Sequence, residues 1–167
     1  MGADRLAALE ARLARLESIE EIKALKVRYA HACDAPYDAE AIAALFTEDG
    51  VWDGGKFGRY DGREEIRDHF LTSPTRFAWQ ATCVMCSRIE PSADGETADG
   101  QWYLWEPCTL KVGGADVAAW QFGRYDDRYR RVDGEWLFSE VAFTMEMLAP
   151  FQTGWADEMV MTTRPGS

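Results

Sequence analysis

The chain reads as an α+β domain with helices gathered on one face of a mostly antiparallel sheet, and three observations carry that reading. Ala, Leu, Glu and Arg dominate the first third, with apolar residues spaced by threes and fours. From Phe77 onward the apolar period changes to two. Turn pairs at Asp94-Gly95, Gly113-Gly114 and Asp133-Gly134 then divide the extended half into consecutive hairpins.

Taken in order, Asp4 to about Cys33 is one long helix that stops before Pro36, because the residue preceding a proline is pushed out of the helical region. Its inner apolar series Ile19, Ile22, Leu25 and Tyr29 points to a core, while Leu6, Leu9, Leu13 and Leu16 form a stripe in a charged arm. Ser18 and Glu21 fit a capping box, so a break is expected between an arm over residues 1–17 and a domain over 18–158, with a tail over 159–167 that frays. The stripe also predicts self-association as a dimer or trimer.

Asp38 is placed to cap a short helix from Ala39 to Phe46. Thr47 to Gly50 supplies turn residues, Val51 to Asp53 a short strand, and Asp61-Gly62 introduces a helix from Arg63 to Leu71 that ends at Thr72-Ser73-Pro74. Four extended runs follow: Phe77–Glu90, Glu96–Val112, Asp116–Val132 and Glu135–Met147.

At 167 residues the chain suits one domain, and its 18 basic against 29 acidic side chains leave a formal charge of −11 that repels phosphate backbones. Nucleic acid is therefore excluded as a partner, and with no apolar run near the ~20 residues that span a bilayer, no membrane is expected either. The charged, leucine-interleaved N-terminus is unlike a signal peptide, which predicts a cytoplasmic protein. Four cysteines, Cys33, Cys83, Cys86 and Cys108, are too sparse for a disulfide scaffold and read as thiols. Cys83 and Cys86 have C-x-x-C spacing, but no second pair or nearby histidine completes a zinc set, so no metal and no cofactor is expected.

Seven tryptophans, six tyrosines and eight phenylalanines crowd a short chain, most of them in or beside the strands. A curved sheet wrapped on helices leaves a cavity, and aromatic walls with a few polar groups suit a flat apolar ligand. Trp52, Trp79, Trp105, Trp120, Phe122 and Phe143 are the rings expected there.

Several blocks in order, Lys23 to Tyr29 with Asp34, Ala44 to Trp52, Gly62 to Ile66, Thr97 to Leu104 and Asp133 to Trp136, resemble the SnoaL-like branch of the NTF2-like superfamily. The resemblance runs from about Ile19 to Trp155 and implies a cone of helices against a strongly curved, mostly antiparallel sheet, with a pocket between them. Within that branch the Tyr-x4-Asp step, Tyr29 to Asp34, is similar to bile acid 7α-dehydratase-like proteins. There a tyrosine polarises a substrate carbonyl, a strand histidine removes a proton and acidic residues orient the pair.

Carried over, these roles fall on Tyr29, Asp34 and the strand acid Glu106, while Cys83 and Cys86 stand where histidines are expected and Met145 where an arginine is. Those three positions join the rings as substrate contacts. The two histidines, His31 and His69, are expected to be exposed, His31 lying far round the helix from Tyr29. The implied function is a cofactor-independent lyase or isomerase, dehydratase-like or ketosteroid-isomerase-like, acting on an apolar cyclic small molecule. With the histidine gone, Asp34 becomes the expected base and Tyr29 the donor to an enolate. The alternative is a non-catalytic binding protein for a hydrophobic small molecule.

Overall fold

In the computed structural model, which describes residues 2–34 and 36–161, three helices lie against one curled, mixed sheet of seven strands. The helices are α1 (Gly2–Cys33), α2 (Ala39–Ala44) and α3 (Arg63–Thr72). The strands are β1 (Phe46–Asp53), β2 (Arg59–Asp61), β3 (Phe77–Gln80), β4 (Cys83–Pro91), β5 (Thr97–Val112), β6 (Ala115–Val132) and β7 (Glu135–Pro150). Their order is β2-β1-β7-β6-β5-β3, with β4 also on β5, so the α+β cone expected from the sequence is what forms. No helix among the described residues is long and apolar enough to cross a membrane.

The three hairpin turns sit where their glycines require. Asp133 and Gly134 both have positive φ (50° and 86°), the twisted two-residue turn that matches the twist of β6 and β7. Asp38 caps α2 by accepting from the Ala41 amide at 3.0 Å. The core lies between α1 and the concave side of the sheet, where Ile22, Leu25, Tyr29, Phe46, Ile66, Phe138 and Val141 are almost completely buried. Each side chain of that size removes enough apolar surface from water to contribute about 1.5–3 kcal/mol.

Four local expectations are corrected. α1 runs unbroken through Ser18, because the Ser18 hydroxyl donates back to the Ala14 carbonyl at 2.9 Å and Glu21 pairs with Arg131 instead of closing a capping box. β1 begins at Phe46, taking in the residues expected to turn, and it pairs parallel to β7; a sequence read hairpin by hairpin cannot reveal that long-range pairing. The extended run from Phe77 splits at Ala81 and Thr82, whose amides leave the ladder rhythm to donate to the Pro107 carbonyl and the Asp34 carboxylate. Finally, the tail is tied to β7 as far as Met161: the Leu148 amide donates to the Met159 carbonyl and the Met161 amide to the Leu148 carbonyl; residues 162–167, also assigned to the fraying tail, lie outside the described residues.

Candidate functional site

α1, α3, and the concave faces of β5 and β6 enclose a cavity of about 60 Å³. Tyr29 comes from the last turns of α1, one face along from Leu25, and its ring makes edge contacts with Phe46, Tyr125 and Phe138. Its hydroxyl accepts from Trp52 Nε1 at 2.8 Å and keeps its own proton, which the adjacent Cys33 sulfur can accept until a stronger acceptor arrives. Trp52 can lie across the end of β1 because Gly54 follows: a Cβ there would come within 2.2 Å of the indole.

Among the described residues, Glu106 is the only carboxylate on the cavity wall. Strand alternation turns it inward with Leu104, and its carboxyl is almost completely buried. The Thr82 hydroxyl donates to Oε2 at 3.2 Å. Burial first, and the neighbouring Asp34 charge with it, push the Glu106 carboxyl up to about 8, against the lowering effect of that one hydrogen bond. Directly across the ladder stands Gln121, buried in the same wall, whose Oε1 has no partner among the described residues. An uncommitted acceptor beside a proton-bearing acid fits a ligand with a polar group.

Asp34 sits behind this wall. Its Oδ1 accepts the Thr82 amide at 2.7 Å, it is half-buried, and it reaches Glu106 through Thr82 without lining the cavity. The edge is held further by Gln80, which donates to the Cys33 carbonyl at 2.7 Å and accepts from the Tyr37 hydroxyl at 2.6 Å.

His69, expected on an exposed helix face, instead lines the cavity. Its imidazole packs in a cluster of rings, stacked 4.1 Å from Tyr60 and tilted 4.7 Å from Trp52. Burial, aided by the Arg76 cation at the cavity mouth, lowers its pKa to about 4, which keeps the ring neutral near pH 7. His69 lies three residues after the buried Ile66 and so shares the inward side of α3, which is the signal that could have placed it. His31 is exposed, as expected.

Among the nine residues assigned to ligand contact, Trp52 and Phe143 line the cavity. Phe143 lies flat against β6 because Gly123, diagonally across the ladder, has no Cβ to meet it at 2.5 Å. Met145 packs between the main core and a smaller cluster around Cys108 and Leu148. Trp105, Trp120 and Phe122 point to the convex side of the sheet, where Trp105 stacks on Trp120 at 5.2 Å and Phe122 on Tyr103 at 5.6 Å. Trp79, Cys83 and Cys86 are exposed, Cys83 opposite Trp105 on the edge strand. Alternation forces this separation, since Trp105 and Glu106 are adjacent on one strand and cannot both face inward. All four thiols are free.

Solved structures share this architecture. A hexachlorocyclohexane dehydrochlorinase, LinA-type3 from Novosphingobium barchaimii, superposes with a TM-score of 0.75 at 24% identity, covering 84% of this chain and 94% of that one. A scytalone dehydratase, described as putative, from Novosphingobium aromaticivorans gives 0.71 at 20% identity over 90% and 93% of the two chains. An NTF2-like protein with a cystatin-like fold from the same species gives 0.63 at 25% identity over 84% and 89%. The family model for the SnoaL-like domain matches residues 14–142, most of the chain, and the protein accordingly belongs to the SnoaL-like domain family.

Proposed function

We propose that the protein is a cofactor-independent lyase or isomerase that moves a proton on a compact apolar cyclic compound, with Glu106 as the proton carrier and Tyr29 as the donor to developing negative charge. The observation that carries this is Glu106 itself: an enclosed carboxyl in an aromatic cavity whose affinity for a proton is raised to about 8, near the optimum for exchanging one at physiological pH.

In the ionised fraction, Glu106 takes a proton from a carbon next to a carbonyl. The C–H electron pair moves onto the carbonyl oxygen, and the Tyr29 phenol, its acceptor side already filled by Trp52, hydrogen-bonds that enolate oxygen. Two exits balance. The enolate expels a β-hydroxyl, which takes the proton from Glu106 and departs as water, or Glu106 returns the proton to a different carbon. Asp34 acts at one remove, positioning Thr82 and raising the proton affinity of Glu106 through its charge.

Support also comes from relatives of the same fold described as a dehydrochlorinase and a dehydratase, both names for eliminations. The similarity of the Tyr29 to Asp34 step to bile acid 7α-dehydratase-like proteins points the same way. The cavity, at about 60 Å³, argues against a ligand as large as four fused rings.

The test needs no knowledge of the natural substrate. 2-Tetralone and cyclohexenone in D₂O are followed by NMR for exchange of their acidic C–H protons. The wild-type protein is expected to accelerate exchange above buffer, with Glu106→Gln losing about 10²-fold or more and Tyr29→Phe losing a smaller factor. Binding of either ketone with no faster exchange than in buffer overturns the proposal in favour of a non-catalytic binding protein.

A further inference from the structure

The first half of α1, residues 2–17, is exposed along its whole length. A helix of that size gains little from its own backbone in water, and this one carries unburied leucines: Leu6, Leu9, Leu13 and Leu16 are each 50–60% exposed. Their spacing of three, four and three is that of the a and d positions of a heptad, with Leu6 and Leu13 at a and Leu9 and Leu16 at d. The same frame continued down the helix places Val27 at a, and Val27 is the remaining large apolar side chain that α1 exposes.

The stripe does not serve the chain's own domain. Side chains that α1 buries, Ile22, Leu25, Tyr29 and Cys33, lie roughly 175° round the helix from the centre of the leucine stripe at 100° per residue. Any partner seated on the leucines therefore has the domain body behind the helix, out of its way.

Charge decides the partner and its direction. In the frame set by the leucines, Arg5 and Arg12 occupy the g positions and Glu10 and Glu17 the e positions, each arginine five residues before a glutamate. In a parallel pair of helices, g of one strand faces the following e of the other, so Arg5 meets Glu10 and Arg12 meets Glu17 of the second copy, twice over by symmetry. In an antiparallel pair g faces g and e faces e, which sets arginine on arginine and glutamate on glutamate.

We infer that residues 2–17 of α1 form a parallel two-stranded coiled coil with the same segment of a second copy of this chain, the two domains lying outside the pair. The apolar seam ends at Leu16, since the charged Glu20 and Lys23 take the next a and d positions, and the arms leave both cavities open.

Two variants test it by native mass spectrometry and cross-linking on the full chain. Wild type is expected to run as two chains, and Leu9→Glu with Leu13→Glu as one, with the near-ultraviolet circular dichroism of the domain unchanged because neither leucine is buried in it. Gly2 occupies a d position in the same frame. Gly2→Cys, in a background with Cys83→Ser and Cys86→Ser, is expected to link the pair through a disulfide under mild oxidation, since parallel d residues face each other while antiparallel ones are a full arm apart. A single-chain wild type overturns the inference. So does a two-chain Leu9/Leu13 variant, which moves the interface elsewhere, for instance to the Trp105 and Trp120 face. A two-chain Gly2→Cys protein that fails to cross-link overturns the parallel direction.

Discussion

Thr82 joins the two acids of the site, its amide donating to Asp34 at 2.7 Å and its hydroxyl to Glu106 at 3.2 Å. A single hydroxyl does little to offset the desolvation of Glu106, and Asp34 adds like charge nearby, so the folded protein holds a proton there that the unfolded chain would release.

That difference sets a pH dependence of stability. Below the unfolded carboxyl value of about 4.5 both states carry the proton; between there and about 8 only the folded state does, so stability falls as pH rises across this window and levels off above it. Glu106→Gln removes the titration while keeping an acceptor for Thr82. Urea denaturation is expected to find the variant close to wild type at pH 5 and more stable by on the order of a few kcal/mol at pH 8.5. Parallel pH profiles for the two proteins would refute the assignment. Proton exchange on the test ketones should rise through the same pH of about 8, because the base is the ionised form.

The Trp52 to Tyr29 bond predicts a coupled pair of losses. Tyr29→Phe leaves Trp52 Nε1 buried with no acceptor, costing about 1–3 kcal/mol. Once Trp52→Phe has removed that donor, the same change at Tyr29 should cost clearly less. A double-mutant cycle by chemical denaturation measures the difference, and strict additivity would mean the bond contributes nothing.

His69 gives the acid limb. Its value of about 4 in the folded state lies below the ordinary 6.5, so the unfolded chain binds the extra proton first, and stability drains away as pH falls from about 6.5 to about 4. His69→Phe preserves the stack on Tyr60 and Trp52 and should flatten the stability profile over that interval. An imidazole C–H resonance of His69 that titrates near pH 6.5 in the native protein would contradict the burial argument.

Much of this could be read before any coordinates. Periodicity located all three helices and the three long strands, and hairpin glycines fixed the β5-β6-β7 meander because each signal is local. Tyr29 was legible as an inward residue from its place after Leu25, and Glu106 from its kinship to the family's strand acid. What failed was facing. Trp105, Trp120 and Phe122 are expected at the cavity together with Glu106, although Trp105 and Glu106 are neighbours, and period-two alternation already requires one of them to point out. The parallel pairing of β1 with β7 and the arrival of α3 over the cavity depend on contacts far apart in sequence, and with them went His69. Asp34 was misplaced more finely: its position at the end of α1 was clear, but the Thr82 amide that turns it away from the cavity belongs to a strand break no local pattern announces.

Behind the cavity wall, Lys26 and Asp127 form an ion pair of 2.7 Å with both side chains inaccessible to water. Burial lowers the lysine and raises the aspartate, each toward its neutral form, and their mutual attraction works against both shifts. The pair is knit into the aromatic layer: Tyr129 donates to the same Asp127 oxygen at 3.0 Å, Trp102 donates to Tyr129 at 2.9 Å, and Lys26 Nζ stands 3.5 Å over the Tyr125 ring. Asp127 Oδ1 has no partner among the described residues, so the carboxylate depends on Lys26 for charge balance. Lys26→Met should therefore cost about 3–5 kcal/mol, since a buried carboxylate without its cation is worse than no charge at all. Adding Asp127→Asn, which still accepts from Tyr129, should recover most of that loss even though it removes another polar contact. Denaturation midpoints of the two variants decide the matter: a single variant within about 1 kcal/mol of wild type, or a double variant no better than the single, would show that the lysine is held there by packing of its methylene stem against Tyr125 and not by its charge.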